Sequence, residues 1–389
     1  MARVKSQLYA TAFSLAALAM LSACGSDQVD SAPATSAEQA DGFARYADDA
    51  AVSRDLLERA VAPYFDDEAM EETRAVVIMH GGRVVAERYA PGITPETRLI
   101  GWSMSKTLTA TLVGMLVADG RLSLDAPASV AEWQNPGDPR AKITLRHLLQ
   151  MASGLDHSEG PTDENGKAVY EVDTARLLFL PDGRDDVARY AETRVLEAPP
   201  GAHFEYSTPT SHILADIMAR TLTDSKNPEI RKNAMLQFAR GRLFEPLGLD
   251  SMTPEFDRSG TMLGGSMIHG TARDWAKLGD FLRNNGSIKG AQLLPTRWTR
   301  FMRAPSDQDA AYGGHVWLNR MRRAGRDQVL FPGRAPDDVF AMLGHLGQFT
   351  VVSPQHKLVI VRMGKTPADE FDAINDQLVN TIDLFPRKK

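Results

Sequence analysis

The chain has 389 residues, 43% hydrophobic and 24% charged, which is enough apolar material for a large buried core. A formal net charge of -6, with no basic stripe or aromatic-interleaved basic patch, excludes nucleic-acid binding as the main function. The single cysteine, Cys24, excludes an intramolecular disulfide.

Arg3 and Lys5 precede an apolar run at residues 8–21, too short for a spanning helix, and Leu21-Ser22-Ala23-Cys24 follows. A basic start, an apolar centre and small residues in this order predict an export signal over residues 1–23. The tetrapeptide resembles a bacterial lipobox, in which Cys24 is lipidated and becomes the mature N-terminus. Residues 24–42 are small and polar, as in a disordered tether. The expectation is an exported, membrane-anchored lipoprotein facing the periplasm. Gly25-Ser26, without an aspartate after Cys24, resembles outer-membrane sorting in Gram-negative bacteria.

The body, 43–389, opens with β-branched runs at Ala75–Met79 and Arg83–Tyr89, and the intervening His80-Gly81-Gly82 predicts a hairpin. His-Gly-Gly also suits a lipase oxyanion loop, but that reading requires a Gly-x-Ser-x-Gly elbow, which the chain lacks. Leu108, Leu112, Met115 and Leu116 recur at helical spacing between Ser105 and Ala118, with Gly120 placed to end the helix. Ile143–Met151 predicts a second helix, stopped at Ser153-Gly154. Residues 156–186 read as a long irregular loop bordering a cleft. A helix is predicted from about Pro209, with Ile213, Leu214, Ile217 and Met218 on its apolar face. Another follows Thr271, whose spacing to Asp274 suits a capping box. Strand-like runs at 312–318, 339–343, 349–353 and 357–363 precede an amphipathic helix at 368–384. Strands at both ends with helices between predict an α/β (α+β) fold. Its sheet part would take about 43–100 and 255–389, and its helical part about 101–254.

Ser103 and Lys106 stand three apart at the head of a predicted helix and so share a face. A serine hydroxyl attacks only when a base takes its proton, and a neighbouring amine can be part of that base. Alone, the pair is equally what a solvated helix start would show. Farther on, Tyr206 lies in Phe204-Glu205-Tyr206-Ser207-Thr208, just ahead of a helix. It can be a core residue, or a phenolate whose pKa an ammonium lowers so that it accepts the serine proton. Gly344-His345-Leu346-Gly347-Gln348 lies between two strand-like runs, where backbone N–H groups can donate to a developing oxyanion. His147 and His157 flank a turn, but without His-Glu-x-x-His spacing no zinc site is expected. Asp156, His157 and Glu159 read as a solvated loop.

Taken in order, Ser103-x-x-Lys106, Tyr206-x-Thr208 and His345-Leu346-Gly347 resemble the three motif elements of the serine β-lactamase and penicillin-binding protein superfamily. DGRLSLDAPAS, ITLRHLLQMASGLDH, PGAHFEYS, RLFEPLGLDSM and GGSMIHGTARDWAKLGDFL extend the likeness over about residues 70–365, and they look most like the class C branch and its esterase relatives. HLLQMASGLDH and Gly-His-Leu-Gly-Gln resemble the 6-aminohexanoate-dimer hydrolase-like subgroup. The resemblance implies a β-lactamase/transpeptidase-like fold, with an antiparallel sheet flanked by helices and an inserted helical domain. It implies an ester or amide hydrolase working through a Ser103 acyl-enzyme, with no metal or organic cofactor. Lys106 and Tyr206 would share proton transfer, Tyr206 being the base in attack. The N–H groups of Ser103 and Gln348 would form the oxyanion hole, and Thr208, His345 and Gly347 would line the substrate site. Thr208 stands in place of Asn, and His345-Leu346 in place of Lys-Thr, which removes donors for a β-lactam carboxylate. Small esters or amides are therefore expected over β-lactams or D-alanyl-D-alanine peptides. A non-catalytic peptidoglycan-sensing homologue would have no need of Ser103, Lys106 and Tyr206 together.

Overall fold

Strands whose two faces are both covered carry apolar residues at every position, and AVVIM and LVIV are such runs. They lie at the centre of a seven-stranded antiparallel sheet in the computed structural model, which describes residues 42–48, 51–159, 173–322 and 327–387. The expected export signal and Cys24 lie outside these residues. The strands are β1 (Phe43–Tyr46), β2 (Glu72–His80), β3 (Arg83–Tyr89), β4 (Trp317–Leu318), β5 (Phe340–Gly344), β6 (Gln348–Ser353) and β7 (Leu358–Lys365). Their spatial order is β1-β3-β2-β7-β6-β5-β4, so early and late parts of the chain meet where His80 lies opposite Leu358. The β2–β3 hairpin forms as expected. Gly81 and Gly82 take φ of 61° and 85°, the left-handed pair that a tight hairpin turn requires.

Helices α1 (Arg54–Val61), α2 (Met104–Ala118), α4 (Ala272–Arg283) and α5 (Phe371–Asp383) cover the sheet, and α3 (Thr208–Leu222) packs against α2. Val76, Ile78 and Ile360 face a core shared with Leu57 of α1 and Ile374, Leu378 and Ile382 of α5. Val77, Val359 and Val361 face the opposite core, filled from α2, α3 and α4. Helix α2 is buried on every side from Met104 to Leu116, as a core helix is. Its threonines donate to carbonyls around it, Thr107 to His315 at 2.6 Å and Thr109 to Gly264 at 2.8 Å. Truncating Leu108 or Leu112 to alanine should cost about 2–5 kcal/mol, because neither site has solvent to collapse against. Among the described residues no helix is long and apolar enough to cross a membrane.

Three elements differ from expectation. Within 156–186, Asp173–Phe179 and Pro181–Arg184 are helical. Asp173, which accepts from Ser158 N–H and from Tyr190 Oη, fastens this segment to the body. The helix expected over Ile143–Met151 is only Leu145–Leu149, started by a Thr144 cap. The run at 312–318 contributes only Trp317–Leu318, because Gly313-Gly314 and His315, at φ 59°, break the extended backbone.

Candidate active site

A three-stranded sheet of Leu99–Ile100, Thr253–Pro254 and Ile268–Gly270 brings the turn before α2 beside the loop at 264–268. Ser103 occupies the N-cap of α2, yet its side chain does not cap the helix. Trp102, immediately before it, has φ of 46°, a conformation bulky residues adopt only when the surroundings enforce it. A Cβ on Gly101 would lie 2.2 Å from the Trp275 ring, so this turn has no room to relax.

The freed Ser103 hydroxyl lies 2.9 Å from Lys106 Nζ. That amine also lies 2.7 Å from Thr208 Oγ1 and 2.9 Å from the Gly265 carbonyl. Only 1% of Lys106 is exposed, whereas Ser103 is partly open to solvent. Burial disfavours the ammonium and brings the Lys106 pKa from 10.5 to about 8, with the Glu159 charge opposing. His212 and His315, buried close by, are held at about 3, chiefly by desolvation. Both imidazoles are therefore neutral.

Tyr206 is positioned by the start of α3. Ser207 caps that helix, accepting from Thr210 N–H. Its hydroxyl also meets His157 Nδ1 at 3.0 Å, while His157 Nε2 lies 3.1 Å from the Ala191 carbonyl. A carbonyl can only accept, so His157 carries its proton on Nε2 and Nδ1 accepts from Ser207. His157 is thus a buried strut and not the solvated loop residue expected. The Tyr206 ring stacks on Trp317 at 5.4 Å and meets Tyr312 edge-on at 5.9 Å, and Lys106 Nζ sits 4.9 Å from its centroid. Ser103 and Tyr206 line the same crevice. The expected lowering of the phenol is reversed. Burial and the Glu159 charge push it above its ordinary range, against a smaller opposing effect of Ser103.

Thr208, expected beside substrate, instead faces Lys106 and Glu159. Its Oγ1 donates to Glu159 Oε1 at 2.6 Å, and its N–H donates to Glu159 Oε2. Thr174 Oγ1 adds a third donor at 2.6 Å. Glu159 is therefore not the solvated loop residue its local composition predicts, since a loop sequence gives no sign of a partner 49 residues away.

The third element forms the β5–β6 hairpin. His345 is exposed at the rim, edge-on to Trp102 at 5.5 Å, and partial desolvation lowers its pKa, opposed by the Glu159 charge. Gln348 does not face the crevice. Its Nε2 donates to the carbonyls of His345 (3.0 Å), Leu346 (3.0 Å) and Gly364 (2.7 Å), and its backbone pairs with Gly344. Gly347 directs its carbonyl to buried Arg362, 2.8 Å from Nη1. These two residues hold the turn. Asn319 N–H donates to the Val339 carbonyl at 3.0 Å, and Phe340 lies opposite Leu318. Odd-numbered residues of β5 therefore point their polar backbone atoms at β4. Since β4 pairs only as far as Ala341, the Leu343 N–H faces an open edge. That edge abuts the nucleophile turn, where a Cβ on Gly344 would meet the Gly101 carbonyl at 2.3 Å.

A narrow crevice lies between these parts, lined by Ser103, Lys106, Tyr206, Tyr312, Trp317 and Leu343 among others. No group of three or more metal-ligating side chains suited to an ion occurs among the described residues. The profile of the family described as Beta-lactamase matches residues 65–382. The chain belongs to the beta-lactamase family. Within it, the chain is 25% identical over 248 residues to a 6-aminohexanoate-dimer hydrolase of Paenarthrobacter ureafaciens, covering 63% of this chain and 61% of that one. A family VIII carboxylesterase superposes with a TM-score of 0.62 at 14% identity, covering 87% of this chain and all (100%) of that one. A penicillin-binding protein homologue from Caulobacter crescentus gives 0.60 at 15% identity, covering 88% and 98%. At these identities the two structures speak for the beta-lactamase fold alone.

Proposed function

We propose that this protein is a serine hydrolase that cleaves small esters or amides through a Ser103 acyl-enzyme. The carrying observation is a buried amine with a pKa near 8, 2.9 Å from the hydroxyl of a partly exposed serine whose crevice Tyr206 also lines. As free amine, Lys106 takes the Ser103 proton while Oγ attacks the carbonyl carbon. The N–H groups of Ser103 and Leu343 receive the oxyanion, Leu343 replacing the Gln348 expected from sequence. Tyr206 stays a phenol, gives its proton to the leaving alkoxide or amine, and is reprotonated from the Lys106 ammonium. Water then attacks the acyl-enzyme by the reverse of these transfers, releasing the acid and restoring Ser103.

Aromatic walls from Tyr206, Tyr312 and Trp317 favour flat or apolar substrate groups. A substrate carboxylate placed beside His345 would meet the Glu159 charge and an imidazole whose proton affinity burial lowers, so β-lactams, which the family holds by a carboxylate at that spot, are poor candidates. The hydrolase of Paenarthrobacter ureafaciens, matched over 61% of its length, supports an amide as an alternative to an ester. Residues 1–24 support export and lipid anchoring at Cys24, which would place the reaction in the periplasm.

A fluorophosphonate probe tests the proposal directly. Wild type should be labelled and Ser103→Ala should not. Labelling of both, or turnover of a chromogenic cephalosporin exceeding that of p-nitrophenyl butyrate and an aminohexanoate dimer, would overturn it.

A further inference from the structure

We propose that Glu159, acting through the Thr208 hydroxyl, fixes the direction of every hydrogen bond around Lys106 so that the amine lone pair faces Ser103. This rests on the reading of Ser103 as nucleophile and assigns the site a positioning residue that motif comparison does not supply. A carboxylate without its proton can only accept, so the 2.6 Å contact commits the single proton of Thr208 Oγ1 to Glu159. Thr208 Oγ1 then presents only lone pairs to Lys106 Nζ at 2.7 Å, and must accept from it. The Gly265 carbonyl, 2.9 Å away, has no proton to give and accepts as well. A neutral amine has two N–H bonds and one lone pair. Thr208 and Gly265 take both N–H bonds, and the remaining direction is toward Ser103 Oγ at 2.9 Å.

Without Glu159, the Thr208 hydroxyl is free to rotate and donate to Lys106. The lone pair would then be spent on a threonine, and an N–H would point at the serine that must lose its own proton. Glu159 is well placed to prevent this, because Thr208 N–H and Thr174 Oγ1 hold its second oxygen. It is also the charged group that faces Lys106. The other titratable neighbours, Tyr206, Tyr312, His212 and His315, are all held in their uncharged forms by burial. Removing the Glu159 charge therefore has a second, separable consequence, since it weakens the hold of Lys106 on its proton.

The test uses the full chain, p-nitrophenyl butyrate over a range of pH, and the variants Ser103→Ala, Glu159→Gln, Thr208→Val and Thr208→Ser. If Ser103→Ala turns over like wild type, the serine-hydrolase reading fails and this proposal falls with it. With Ser103 essential, Glu159→Gln should lower the plateau kcat/KM by about 100-fold, as for a misaligned reacting group, and move the rising limb to lower pH. Thr208→Val should lose a similar plateau without that downward move, because the carboxylate remains. Thr208→Ser, which restores the hydroxyl, should recover most of the loss. Plateau rates like wild type in both Glu159→Gln and Thr208→Val would overturn the proposal while leaving the hydrolase reading intact. Equal losses with neither limb moved, the signature of a merely structural role, would overturn it too. If Thr208→Val does not fold, Lys106 titration followed by its 13Cε resonance gives the same discrimination. It should move down in Glu159→Gln and stay in Glu159→Asp, and an unmoved titration in Glu159→Gln would refute the proposal.

Discussion

Lys106 sets the pH at which this hydrolase should work. Moving its pKa from 10.5 to about 8 favours the free amine by about 3 kcal/mol. At pH 7 roughly one molecule in ten then carries the free amine, against roughly three in ten thousand at the ordinary value. Turnover that depends on that amine should fall about tenfold per pH unit below pH 7, reach half its limit near pH 8, and level off by about pH 9. The raised phenol of Tyr206 places no descending limb in this range. Steady-state kcat/KM for a p-nitrophenyl ester between pH 5 and 10 measures the curve, with Lys106→Arg as control. A guanidinium cannot give up its proton and should lose about two to four orders of magnitude. A limb centred between pH 6 and 7 would point to an imidazole base and refute the reasoning, because His212 and His315 sit near 3 and His345 is lowered. A flat profile would refute it equally.

Tyr206→Phe should keep its stacking on Trp317 and Tyr312 and so keep the fold, while slowing acylation by about two to four orders of magnitude in burst kinetics. Gly344→Ala forces a Cβ to within 2.3 Å of the Gly101 carbonyl, and the resulting shift of either edge should cost about 100-fold in kcat/KM. Wild-type turnover in that variant would contradict the close approach. Burial and the nearby Asp216 charge raise the Glu192 carboxyl far above its unfolded value of 4.5. The folded chain therefore holds a proton that the unfolded chain releases, and Glu192 contributes less stability as pH rises above 4.5. Glu192→Gln should be at least as stable as wild type at pH 8 by urea unfolding, and a larger loss at pH 8 than at pH 5 would reverse that sign.

What could be read from the sequence was what depends on near neighbours. The Gly81-Gly82 turn, the i, i+3 pairing of Ser103 with Lys106, and the cap at Thr271 are local features, and the structure contains each of them. The proposed oxyanion donor was not legible, because it depends on hairpin register. Sliding the count from Gln348 to Leu343 changes which amides face outward, and glycine-rich turn composition does not fix that count. The order of proton affinities was equally hidden. Tyr206 and Lys106 both carry familiar reference values, and only their shared burial beside Glu159 raises one and lowers the other. The short helices after Asp173 have the composition of a loop, and tertiary bonds to Ser158 and Tyr190 hold them.

The seam between β2 and β7 has a consequence for how the chain is made. Leu358 must be synthesised before the β7 side of His80 has its partner, so zippering of the sheet awaits nearly the whole polypeptide, and closure over so long a loop is slow. Products that stop short of Leu358 would leave AVVIM with a bare hydrogen-bonding edge, ready to pair with another copy. Premature termination should therefore yield insoluble material, and not a smaller soluble fragment.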